Sequence, residues 1–150
     1  MNPFITFALT SSLLAIVYAL FLAKSILKKP AGNEKMQEIA KAILEGAEAY
    51  LNRQYKTIGI FAVIIFAILW FFLGITTALG FAVGAIFSAL AGYIGMHVSV
   101  RANVRTAEAA RTGLAEALSV AFQGGTVTGL LVVGLALLGV TGFYLITKDV

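Results

Sequence analysis

From Thr57 to Val100 the chain runs for 44 residues without a single Lys, Arg, Asp or Glu. At about 1.5 Å of rise per helical residue such a stretch reaches roughly 66 Å, about twice the ~30 Å hydrocarbon core of a bilayer. Backbone groups inside lipid have no water to bond to, so a chain crossing it must satisfy them within a helix. The uncharged run therefore predicts two membrane helices, about 57–74 and about 79–99, joined by a tight turn. Gly74 to Gly80, with Thr76 and Thr77, supplies residues suited to that turn.

Two more spans follow by the same reasoning. Asn2 to Ala23 is uncharged and predicts a first span of about 3–27. No basic residue precedes it, its apolar stretch is long, and no small-x-small site follows, so it reads as a retained span and not as a cleaved secretory signal. A fourth apolar stretch predicts a span of about 125–147, closed by Lys148 and Asp149. The composition agrees: 60% of residues are hydrophobic and 12% are charged, about half the charge of a typical soluble domain. The net charge of +4 comes from basic residues that flank apolar runs, a placement that argues against nucleic acid as a partner and for membrane lipid. With no cysteine, disulfides, thiol chemistry and cysteine-based metal sites are excluded.

Two polar intervals separate the spans. In the first, Pro30 and Gly32 end the first helix and Asn33 is placed to cap the next. Ile39, Ile43, Leu44, Ala47 and Leu51 then recur at helical spacing, with Glu34, Glu38, Lys41, Glu45, Glu48 and Asn52 on the other face. This predicts an amphipathic helix of about 33–56, with Glu38–Lys41 and Lys41–Glu45 pairs along it. The second interval is alanine-rich and predicts a helix of about 100–123, broken by Gly124 and Gly125. The fold class is thus an all-α integral membrane protein, with four transmembrane helices and a cytoplasmic amphipathic helical extension, as part of a larger helical bundle. Of the 11 basic residues, all but Lys148 fall in the two polar loops. The positive-inside rule puts those loops in the cytoplasm and both termini outside.

Gly80, Gly84, Ser88 and Gly92 repeat every four residues along the third span, and Gly125 and Gly129 open the fourth. Such stripes let another helix backbone approach closely and are assigned to helix packing. His97 lies at the cytoplasmic end of the third span, where it reads as an interfacial histidine, with a pH-sensing or proton-relay role as the alternative. Arg101, Asn103, Arg105, Glu108 and Arg111 form a polar segment just inside the membrane. It sets topology and pairs with neighbouring loops, or else holds phosphate or lipid headgroups. Glu34, Glu38, Glu45 and Glu48 suit a solvated helix face better than a cation site. No span carries an ionisable carboxylate or lysine at membrane depth, which an ion carrier would need. There is no glycine-rich phosphate loop ending in lysine, and Asp149 is the sole aspartate.

Four stretches carry a family likeness: Glu45-Gly-Ala-Glu-Ala-Tyr-Leu-Asn-Arg-Gln-Tyr-Lys-Thr-Ile58, Ala91-Gly-Tyr-Ile-Gly-Met96, Arg101-Ala-Asn-Val-Arg-Thr-Ala-Glu-Ala-Ala-Arg111 and Ala121-Phe-Gln-Gly-Gly-Thr-Val-Thr-Gly-Leu130. Together, and in this order, they resemble the opening of the ion-translocating membrane-bound pyrophosphatases. That resemblance implies a homodimeric pump that hydrolyses pyrophosphate with Mg2+ on the cytoplasmic side and moves H+ or Na+ outward. The family builds its site from aspartate-rich motifs and lysines on later, inner helices, which this sequence lacks. No catalytic, cofactor-binding or metal-ligating residue is therefore assigned here, Mg2+ and pyrophosphate belong to the intact protein, and the four spans are expected to be outer helices supporting the missing C-terminal ones. The chain alone is expected to be inactive. The alternative is a non-catalytic four-helix membrane assembly subunit.

Overall fold

The computed structural model describes residues 3–148, so Asn2 and Asp149 lie outside the described residues. It consists of four helices, α1 (Pro3–Leu27), α2 (Glu34–Leu73), α3 (Ile75–Ala109) and α4 (Leu114–Thr147). All four are long and apolar enough to cross a membrane, and among the described residues there is no strand.

The helices are longer and fewer than the sequence pattern predicts. The amphipathic segment and the second span are one helix, α2, of 40 residues. Asn33 caps it, its side-chain oxygen accepting a 3.0 Å hydrogen bond from the Met36 amide. Nothing in the segment breaks it, because Gly46 and Gly59 sit inside regular backbone. The Lys41–Glu45 and Glu38–Lys41 pairs do not close; the ion pairs found among the described residues lie elsewhere. The turn between the second and third spans is not the seven-residue interval from Gly74 to Gly80. Gly74 alone separates α2 from α3, at φ +93°, a conformation that glycine adopts without the Cβ penalty of other residues. Its N–H donates to the Trp70 carbonyl at 3.2 Å and its carbonyl accepts from the Ala78 amide at 3.3 Å.

The second polar interval is also arranged differently from the expected helix of about 100–123. No break occurs at Gly124 and Gly125: α3 carries on to Ala109, the chain turns at residues 110–113, and α4 starts at Leu114 and passes through both glycines. Four backbone bonds donated by residues 110–113 close this turn. At Gly124 the missing side chain admits a neighbour. A Cβ placed there would come within 3.3 Å of the Ala102 methyl.

α3 and α4 form the middle of the assembly, and α3 touches every other helix. α4 packs along α3 and α1, α1 touches α3 more lightly, and α2 packs along α3 and comes close to no other helix. The buried core is made of Ala19, Ala23 and Ile26 from α1, Ala91, Val98 and Ala102 from α3, and Val127 and Leu131 from α4. Alanine and glycine dominate because helices in lipid gain little from hiding apolar side chains and much from close backbone approach. The outward faces are apolar and open, with Phe61 60% and Phe71 83% exposed, as helices immersed in lipid require. The protein is an integral membrane protein.

At Gly134 α1 and α4 meet closely: a Cβ there would lie 2.8 Å from Ile16 Cγ1 and 3.1 Å from the Ser12 carbonyl oxygen. Gly134→Ala should therefore force α1 away from α4 and cost about 1–3 kcal/mol. At Gly46, exposed and with nothing within 4 Å, alanine should stabilise by about 0.5–1 kcal/mol through helix propensity. Opposite shifts in the thermal unfolding midpoint of the two variants in micelles, followed by circular dichroism, check this pair.

Candidate functional site

The polar groups of the chain converge where α3 leaves the bilayer. His97, Arg101 and Arg105 follow one another at four-residue steps, so they occupy one stripe of α3. Each reaches back along the helix: His97 Nδ1 lies 3.1 Å from the Tyr93 carbonyl, Arg101 donates to the His97 carbonyl at 3.2 Å, and Arg105 donates to the Arg101 carbonyl at 2.6 Å.

From this stripe the side chains bind both neighbouring helices. Arg105 NH2 donates to the Leu27 carbonyl, 2.9 Å away and 78 residues earlier in the chain. Leu27 ends α1, so its carbonyl has no partner within its own helix, and a cation there also meets the negative end of the helix dipole. Burial first, and neighbouring Arg101 second, lower the Arg105 guanidinium below its ordinary value; at neutral pH it keeps its charge. On the other side, Glu48 Oε1 of α2 lies 3.7 Å from Arg101 and 3.9 Å from His97 Nε2. A small pocket of about 190 Å3, lined by Glu48, Leu51, Asn52, Tyr93 and His97, opens beside this contact. One turn deeper, the Tyr55 hydroxyl donates to the Ala89 carbonyl at 2.8 Å, and its ring meets Tyr93 edge-on with centroids 5.8 Å apart.

The rest of the polar segment serves the loop between α1 and α2. Glu108 pairs with Arg111 at 3.3 Å and stands beside Gly32, whose φ of +80° turns the chain toward α2. Asn103 is exposed and makes none of these contacts. The arginine segment thus gathers α1, α2 and their connecting loop onto α3. Of the four glutamates on α2, Glu48 enters this contact, while Glu34, Glu38 and Glu45 stay on the exposed face. Among the described residues no three His, Asp or Glu side chains cluster closely enough to hold a metal ion.

Sequence pattern alone misses Glu48 as a partner of α3. The signal is nonetheless present, since Glu48, Leu51, Asn52 and Tyr55 fall at i, i+3, i+4 and i+7 on one stripe of α2. The glycine stripes divide. A Cβ on Gly80 would meet the Phe143 ring at 3.3 Å and one on Gly92 the Tyr55 hydroxyl at 2.9 Å, but Gly84, Gly125 and Gly129 have nothing within 4 Å, and Ser88 is exposed. Within the described chain these last four residues meet no neighbouring helix. The close approaches fall instead at Gly95 against Thr128, Gly124 against Ala102, Gly134 against Ile16 and Gly139 against Phe87. A helix turns about 100° per residue, so Gly124 and Gly125 look in different directions.

Arg105 and Arg111 should separate on mutation. Arg105→Ala leaves the Leu27 carbonyl without its partner and should destabilise by about 1–3 kcal/mol. Arg111→Ala removes a surface pair whose arginine side chain is 63% exposed and should stay within about 0.5 kcal/mol of the parent. Cleavage after Lys28 and Lys29 by a lysine-specific protease, faster in the first variant only, reports the loosened end of α1.

A family model described as Inorganic H+ pyrophosphatase matches residues 13–150. The chain is 55% identical over 93% of its length to a K(+)-insensitive pyrophosphate-energized proton pump of Methanosarcina mazei, covering 21% of that protein. It is 51% identical over 88% of its length to a K(+)-insensitive pyrophosphate-energized proton pump of Moorella thermoacetica, covering 20% of it. With a K(+)-stimulated pyrophosphate-energized sodium pump of Thermotoga maritima the identity is 44% over 89% of the chain and 19% of the relative. The chain spans about a fifth of the length of these relatives. Matched along nearly its whole length, this four-helix membrane chain belongs to the inorganic H+ pyrophosphatase family.

Proposed function

We propose that these helices are the N-terminal, outer portion of a pump that couples pyrophosphate hydrolysis to H+ or Na+ transport, and that hydrolysis takes place on the larger part of the protein beyond them. The observation that carries this reading is the combination of 55% identity to a pyrophosphate-energized proton pump with coverage of only 21% of its length. The chemistry of the side chains supports it. In this reading hydrolysis uses Mg2+, which takes oxygen ligands, chiefly carboxylates, water and substrate phosphate. The described helices offer no carboxylate cluster that fits such an ion, so its ligands and those of pyrophosphate are assigned to later helices.

In this reading the chain works as scaffold. The arginine segment lies on the cytoplasmic side with the lysines that end α1, and both termini lie outside. Ten of the eleven basic residues support that orientation. The remaining helices are its partner within a subunit, and the assembled pump is a homodimer in lipid.

The test is pyrophosphatase activity with Mg2+ for the purified chain, and again after co-expression with the remaining four-fifths of the Methanosarcina mazei relative. No turnover is expected from the chain alone, and Mg2+-dependent turnover from the co-expressed pair. Hydrolysis by the chain alone would overturn the placement of the site on later helices.

A further inference from the structure

The arginines of α3 are engaged within the chain. Arg101 lies against Glu48, Arg111 against Glu108, and Arg105 reaches the Leu27 carbonyl. The lysines at the end of α1 are left differently. Lys24 and Lys28 are exposed, and among the described residues no carboxylate stands within ion-pair distance of either. Nor does the end of their own helix call for them, because Arg105 already brings a cation to the last carbonyl of α1. Two positive side chains one turn apart therefore face outward with no anion from the described chain beside them.

What lies below them on the helix narrows the choice of anion. Ala19, Ala23 and Ile26 turn into the core. At about 100° per residue, Val17, Phe21 and Lys24 fall within about 60° of one another on the opposite side, and Lys28 follows one turn on. Val17 is 63% and Phe21 67% exposed. The stripe thus runs from bare apolar side chains straight into two cations, at the point where the uncharged run from Asn2 to Ala23 ends. A dissolved phosphate would meet the charged half of this stripe alone. A phospholipid, with its headgroup above and hydrocarbon below, meets all of it. Lysine suits such a boundary, since its stem lies along apolar surface while its ammonium group reaches up to the phosphates. A zwitterionic headgroup carries its own cation, so an anionic one gains more from the pair.

We propose that the end of α1 is a seat for an anionic phospholipid, its headgroup held by Lys24 and Lys28 and its acyl chain lying along Phe21 and Val17. The test puts the photo-reactive residue benzoylphenylalanine in place of Phe21. The 150-residue chain is reconstituted into vesicles of equal parts phosphatidylglycerol and phosphatidylcholine with matched acyl chains. After illumination, mass analysis of the cross-linked lipid should favour phosphatidylglycerol by about five-fold for each lysine engaged. The same replacement at Phe7, near the other end of α1, should show no preference. Lys24→Gln with Lys28→Gln should bring the ratio at Phe21 close to one. Lys35→Gln with Lys41→Gln removes the same charge from α2, at least 15 residues ahead of Lys56, the last charge before the second uncharged run. That is about 22 Å of helix or more, well beyond the roughly 8 Å Debye length at physiological salt, so this pair should leave the ratio unchanged. An even ratio in the parent, or a preference that survives loss of both α1 lysines, would overturn the proposal. So would an equal fall in the two double variants, which would mark a diffuse effect of net charge. Loss of the preference on adding inorganic phosphate at constant ionic strength would mark a site for dissolved anions and overturn it as well.

Discussion

Lipid gives these helices no reason to associate merely because they are apolar. What holds α1, α3 and α4 together is contact between surfaces smooth enough to meet, and the buried residues show it: Ala19, Ala23, Ala91 and Ala102, with Val98, Val127, Leu131 and Ile26 filling the spaces between them. Dispersion over that interface needs backbones to come close. Every filled glycine of α4 marks a place where they do. At the end where α3 leaves the bilayer, water competes for polar groups and the logic changes. There the arginine stripe of α3 collects α1 by its last carbonyl and α2 by Glu48, contacts that orient helices already brought together in the bilayer.

The spans were legible in the sequence because charge at membrane depth is expensive, so the uncharged runs mark them. Helix ends were less legible. Gly124 and Gly125 look like a break by the rules of soluble proteins, but near lipid an interrupted backbone would leave its N–H and C=O groups without partners, and the helix runs through both. The true break, at residues 110–113, lies in an alanine-rich region whose propensity argues for helix. The 40-residue length of α2 was hidden for a related reason: the change from an amphipathic to a fully apolar pattern marks the surface of the bilayer, and a helix does not end there.

The polar site was half legible. Arg101, Arg105 and Arg111 stand out by composition, but the partner of Arg105 is a backbone carbonyl, which no residue type announces. The glycine stripes were found, while their direction was not, since a four-residue repeat defines a face without saying what stands opposite. Gly80 and Gly92 face helices of this chain; Gly84, Gly125 and Gly129 do not.

The hairpin of α2 and α3 turns on one residue. Gly74, at φ +93°, leaves no slack between the two helices, so the rotational phase of one is geared to that of the other. A single residue added at this point would swing α3 by about 100° relative to α2, carrying Tyr93, His97 and Arg101 off Glu48 and Tyr55 together. The hairpin is in this sense one rigid part with its timing set at the far side of the membrane from its polar contacts, and its length cannot drift in evolution without a compensating change elsewhere in the helix.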